Sequence, residues 1–101
     1  MRLPLKLSPK GSKAFDAVGF GLNTIDLLAV VSEHPRAGTK GPIRNLEILP
    51  GGQAATAMTA VSRLGWSARY IGCFGDDANG NLGRKAMLDA GVDISQCRIS
   101  E

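Results

Sequence analysis

Aromatic side chains are scarce: one Trp, one Tyr and three Phe make up 5% of the 101 residues. A basic stripe interleaved with such rings, the usual footprint of nucleic-acid binding, is missing, and nucleic acid is not an expected partner. Long apolar runs are missing too. No stretch reaches the roughly 18 apolar residues that a membrane-crossing helix needs. The opening segment, MRLPLKLSPKGSK, lacks the continuous apolar centre of a secretory signal. These absences argue against a membrane partner and make the cytoplasm the default compartment. Histidine occurs once, at His34 beside Pro35 in a turn-rich stretch, and is expected to be exposed with no acid–base role. The two cysteines, Cys73 and Cys97, form no CxxC pair and suggest no metal site. Cys73 lies in an apolar strand pattern and is expected to be a reduced thiol of the core.

Acidic residues are absent from residues 1–13, which hold Arg2, Lys6, Lys10 and Lys13. Without those four, the formal charge of +3 disappears, because the remainder carries eight basic against nine acidic residues. Basic character thus belongs to the opening segment. Residues 1–13 are expected to be a solvated, disordered leader, with the folded body over 14–101.

What is plentiful is glycine, at 13 residues, which suits an α/β chain with tight turns between strands and helices. Residues 15–21 (FDAVGFG) read as a buried first strand and residues 25–31 (IDLLAVV) as a second extended segment. Residues 32–42 are rich in turn formers and read as loop. In residues 43–49, Ile43, Leu46, Ile48 and Leu49 are set against Arg44, Asn45 and Glu47, a half-exposed strand with a slip in its register. Ala54, Ala57, Met58, Val61 and Leu64 then recur at helical spacing, and Gly65 supplies the stop. Residues 67–75 (SARYIGCFG) read as another apolar strand. Leu82, Ala86, Met87 and Ala90 mark a second helix closed by Gly91, and a further extended piece begins after it. Such alternation argues for a parallel sheet flanked by helices. Two helices cannot cover both faces of that sheet, so the chain is expected to be the N-terminal portion, or a truncated product, of a longer α/β protein.

A phosphate loop, GxxxxGK followed by Ser or Thr, does not occur. Gly19-Phe20-Gly21 opens like GxGxxG, but Thr24 stands where the helix-packing glycine belongs, which disfavours a nucleotide-binding oxidoreductase. The pair Gly51-Gly52, in PGGQAAT, is a stronger signal. Backbone without Cβ either turns tightly or admits the close approach of another group. Asp76 and Asp77 are expected to cap the helix that starts near Asn79.

The spacing of Gly51, Gly52, Gly65 and Gly75 resembles the first signature of the ribokinase-like, or PfkB, carbohydrate kinases. The turn Gly75-Asp76-Asp77-Ala78-Asn79-Gly80 is similar to that family's GDDxxG element, and the likeness runs from about Phe15 to Asp93. Thr56 stands where the family usually has asparagine, Met58 where it has a small residue, and Gln53 where ribokinase itself has lysine. The resemblance implies a Rossmann-type three-layer α/β sandwich with a small β lid, present here as an N-terminal fragment. The lid would fall at about residues 32–49 and would also offer a surface for pairing two copies. Substrate-binding roles are implied for Asp26, Thr24, Gly51, Gly52, Gln53 and Thr56. In that picture bare backbone brings N–H groups to a sugar, the next helix adds its positive end, and Asp26 accepts from two hydroxyls.

The family's reaction moves the γ-phosphate of ATP to a hydroxyl of a sugar or related compound, with Mg²⁺ bridging the phosphates. Its catalytic aspartate and ATP site belong to a second signature that has no match here. No catalytic or metal-binding residue is therefore assigned, and this chain alone is expected to be inactive. The alternative reading is a non-catalytic truncated product that acts as a binding or dimerisation module.

Overall fold

The computed structural model describes residue 4 and residues 8–101, so residues 1–3 and 5–7 of the expected leader lie outside the described residues. Among the described residues the order is β1 (Ala17–Phe20), β2 (Thr24–Val31), β3 (Ile43–Gly51), α1 (Gln53–Arg63), β4 (Ala68–Ile71), β5 (Cys73–Gly75), α2 (Ala78–Asp89) and β6 (Arg98–Ser100). β1 pairs in parallel with β4, and β5 with β6, whereas β2 and β3 form an antiparallel ribbon. The parallel pairs and their helices give the α/β architecture that the alternating pattern predicts.

Helical spacing in α1 turns Ala55 and Met58 inward against β1 and β4, and α2 buries Met87 beside β5. Both helices stop at a left-handed glycine, Gly65 with φ 85° and Gly91 with φ 80°. The following amide then folds back, Trp66 N to Val61 O at 3.2 Å and Val92 N to Met87 O at 3.0 Å. At the start of α2 the Asp77 carboxylate accepts from Gly80 N at 2.7 Å, the cap expected of this acidic pair. Asp76 does something else: its amide donates to Ser100 O at 2.9 Å, at the end of β6. The core gathers Met58, Met87 and Val92 around Tyr70 and Phe74, whose rings meet edge to face at 5.9 Å.

Three expectations change. Residues 67–75 are not one strand, because the chain breaks at Gly72 and sends β4 to β1 but β5 to β6. A Cβ at Gly72 would fall on the Tyr70 phenol, so the break lies where the buried ring passes the backbone. Cys73 is not a core thiol. The two-residue alternation of β5 turns Phe74 inward and leaves Cys73 exposed. Nor is β1 buried on both sides: Ala17 and Gly19 face the core, while Val18 and Phe20 are 56% and 84% exposed.

The ribbon includes β2, which lies before the expected lid segment, and residues 32–42 form its tip. Its register irregularity falls where Val30 and Val31 face Asn45 and Ile43, so Arg44 is the extra residue, on the strand where a slip was expected. At the other end of the body, the described part of the leader makes contacts. Lys10 Nζ lies 5.3 Å from the Trp66 ring centre, and Gly11 N donates to Asp16 Oδ1 at 3.1 Å. Asp16 also accepts from Ser67 N at 2.9 Å. These amide bonds and the Ser67 hydroxyl hold its carboxyl below the usual range. Among the described residues no helix is long and apolar enough to cross a membrane.

An uncovered apolar sheet face has a measurable signature. The 101-residue chain should bind the dye ANS and melt over a broad range. A steep two-state melt with well-dispersed amide resonances and no dye binding would contradict it.

Candidate functional site

The register of the ribbon sets the site. Thr24 stands opposite Gly51, and Asp26 is two positions further along the same face of β2. The Thr24 hydroxyl donates to Asp26 Oδ1 at 3.1 Å. A Cβ on Gly51 would sit 2.9 Å from the Asp26 carboxyl carbon and 3.1 Å from Thr24 Oγ1. Glycine at 51 is therefore what lets the carboxylate lie over bare backbone. Gly52 answers a different need. Its φ of 95° is left-handed, and a Cβ there would come within 2.5 Å of Asn23 Cα and 2.7 Å of Leu22 O. Gly51 thus makes room for a side chain, and Gly52 for the main chain at the root of β2.

α1 begins directly after the pair, at Gln53, and no side chain caps it. Its first turn is tied instead through Ala55 N, which donates to Leu22 O at 3.2 Å. A helix start without a side-chain acceptor presents partial positive charge to whatever lies in front of it. Beside it a cavity of about 210 Å³ opens between the root of the ribbon, α1 and α2. Thr24, Gly51 and Thr56 line it. Asp26 stands at its edge through contact with Gly51 and Thr24. Gly52 and Gln53 are not among the lining residues; Gly52 is closed off by Asn23, and Gln53 is exposed at the helix start.

Two supporting residues escape a reading of the sequence. Asn23 Nδ2 donates to Tyr70 Oη at 2.8 Å and to Cys73 O at 2.7 Å, and Tyr70 Oη donates to Gly21 O at 2.6 Å. Burial pushes the Tyr70 phenol up, so its proton stays in place to make that bond. The available signal was a lone tyrosine inside an apolar strand, whose hydroxyl must find a partner.

ATP and Mg²⁺, which the resemblance implies, do not fit the residues present. Among the described residues no three His, Cys, Asp or Glu side chains converge, and no carboxylate lines the cavity. Asp77 is already engaged as a helix cap. What the arrangement can do is bind: a carboxyl acceptor, hydroxyls and main-chain donors suit a polyhydroxylated molecule.

The two glycines should respond differently to substitution. Gly52→Ala meets main chain and a left-handed φ, a strain of about 1–3 kcal/mol, and should speed amide exchange in the first turn of α1. Gly51→Ala meets a side chain that can turn away, so exchange there should stay near the parent rate while the Asp26 carboxyl resonance moves. Equal effects on exchange would refute the division of roles.

Comparison with known proteins points the same way. The pattern of the pfkB family carbohydrate kinases matches residues 15–101. An ATP-dependent ribose-1-phosphate kinase from Halopiger xanaduensis is 38% identical over 76 residues, covering 75% of this chain and 26% of the relative. An aminoimidazole riboside kinase from Salmonella typhimurium is 42% identical over 50 residues, 50% of this chain and 16% of its own length. In three dimensions, a ribokinase from Cryptococcus neoformans solved with ADP superposes with a TM-score of 0.75 at 26% identity, over 84% of this chain and 27% of that one. The chain therefore spans about a quarter or less of these relatives. With the matched pattern covering nearly all of its body, the chain belongs to the pfkB family of carbohydrate kinases.

Proposed function

We propose that this chain is the sugar-gripping portion of an ATP-dependent carbohydrate kinase, which transfers the γ-phosphate of ATP to a hydroxyl of a sugar or sugar-bearing compound. One observation carries the reading: the Asp26 carboxylate and the Thr24 hydroxyl meet over the bare backbone of Gly51, just before an uncapped helix. The carboxylate would accept from two neighbouring sugar hydroxyls, through charge-assisted bonds about twice as strong as neutral ones. Main-chain N–H groups at Gly51 and Gly52 would donate to sugar oxygens, with Gln53 at the rim and Thr56 on the cavity wall. The positive end of α1 favours an oxygen that is losing its proton. The ribbon, closing over the sugar, would keep out water that competes as phosphoryl acceptor.

In this reading Asp26 positions the acceptor hydroxyl and does not take its proton. ATP, held by residues beyond this chain with Mg²⁺ across its phosphates, supplies the phosphoryl group. The relatives named for ribose 1-phosphate and aminoimidazole riboside support a sugar-bearing substrate. The cytoplasm suits the free thiols Cys73 and Cys97, which stay reduced there. In a protein of family length, Asp26→Ala should weaken sugar binding by about tenfold or more, the loss of one charge-assisted contact, with ATP binding unchanged by calorimetry. Unchanged sugar affinity would overturn the assignment. The 101-residue chain itself should turn over no ATP with any sugar.

A second reading, pairing of two copies, is favoured by the opposite face of the ribbon. Ile25, Leu27 and Ala29 stand across from Pro50, Ile48 and Leu46, an apolar set with Leu27 69% exposed. Two such faces would bury one another and give a dimer, with or without catalysis. Sedimentation should find a dimer that Leu27→Asp with Leu46→Asp converts to monomer; a parent chain that stays monomeric at high concentration would end this reading.

A further inference from the structure

A second cavity lies at the start of β1, the end opposite to the one from which the ribbon leaves. Here the chain before β1 folds back on the body. Ser12 N donates to Pro9 O at 3.1 Å, and Gly11 between them is left-handed, with φ 75°. Gly11 N and Ser67 N then donate to the two oxygens of Asp16, at 3.1 and 2.9 Å. The space between this turn and the end of α1 is about 530 Å³. Small-molecule sites usually measure roughly 300–1,000 Å³.

The apolar part of its lining includes Val61, Leu64 and Trp66, of which Leu64 and Trp66 remain 76% and 42% exposed. Trp66 is the one indole of the chain, and the end of α1 puts it there: Gly65 stops the helix and the Trp66 amide folds back to Val61 O. The polar part includes Lys13 and the hydroxyls of Ser8 and Ser12. Lys10 adds a second cation, with Nζ 5.3 Å from the Trp66 ring centre. Among the described residues neither lysine has a carboxylate within 4.0 Å. The acid on the wall, Asp16, is committed to Gly11 and Ser67.

We propose that this cavity binds a small aromatic carboxylate, at a site separate from the sugar pocket. The ring would cover the exposed apolar side chains and stack against the Trp66 indole. Its carboxylate would accept from Lys13 and from the Ser8 and Ser12 hydroxyls. The sign of the charge follows from the surrounding chain, since residues 1–13 carry four basic residues and no acid. A neutral guest would use none of that charge, and a bare anion none of the indole. No residue lines both cavities. Ser8, Ser12 and Lys13 also precede residues 15–101, the stretch that matches the family pattern, so the site is a feature of this chain and not of that pattern.

The test reads the indole N–H resonance of Trp66 in the 101-residue chain, with benzoate, benzamide and acetate as probes. Benzoate should shift it saturably, with an affinity about tenfold above that of benzamide, the contribution of one charge-assisted contact. Acetate should leave it in place. Lys13→Ala should bring benzoate down to the level of benzamide, and Lys13→Arg should keep most of the difference. Removing residues 1–13 should abolish the saturable shift while circular dichroism shows the helices intact. Equal affinity for benzoate and benzamide, or a benzoate advantage that survives Lys13→Ala, overturns the proposal. An acetate response equal to that of benzoate means a free-anion site, and benzoate that binds without moving Trp66 lies elsewhere, on the bare sheet face; either result also overturns it. None of these signals involves Asp26 or Gly51, so the outcome is independent of the sugar pocket.

Discussion

The buried hydroxyl of Tyr70 holds together the parts on which the site depends. It donates to the carbonyl of Gly21, at the end of β1, and accepts from Asn23, at the root of β2. Asn23 reaches on to Cys73 O, so β1, the ribbon and β5 meet around one phenol. Leaving such a group unsatisfied costs about 1–3 kcal/mol, which gives the junction a single low-energy arrangement. Gly52 then packs on the Asn23 backbone, and α1 starts from there. The position of Asp26 over Gly51 follows from this chain of contacts, although neither residue touches Tyr70.

The polarity of the ribbon follows from the same junction. With its root fixed, alternation along β2 sends Thr24 and Asp26 to one face and Ile25, Leu27 and Ala29 to the other. The first face borders the cavity with its hydroxyls and the guanidinium of Arg63; the second is apolar and exposed. A two-stranded ribbon is marginal in water, and here the body steadies only its root.

How much of this was legible in the sequence depends on the range of the interaction. Local rules worked: helical spacing found both helices, glycines at 65 and 91 marked their ends, and an acidic residue at 77 caps the second. The glycine pair was legible as a place of close approach, and Asp26 and Thr24 are the side chains that lie against Gly51. Long-range pairing was not legible. Nothing local says that residues 67–75 split their allegiance between β1 and β6, and Cys73 faces outward because of that split. Nor does a sequence announce that Asn23 and Tyr70, 47 positions apart, share a hydrogen bond. Arg63 reads locally as a helix-end cation; only the packing of α1 against α2 puts it on a cavity wall.

The ribbon's alternation also bears on how this segment can change in length. A strand repeats every two residues, so a single insertion in β2 or β3 would swap everything beyond it from one side to the other. Asp26 would then trade places with an apolar neighbour such as Ile25 or Leu27. Residues 32–42 are under no such rule, because they belong to neither strand. Evolutionary gain or loss of residues should accumulate in that tip, while the two arms keep their count.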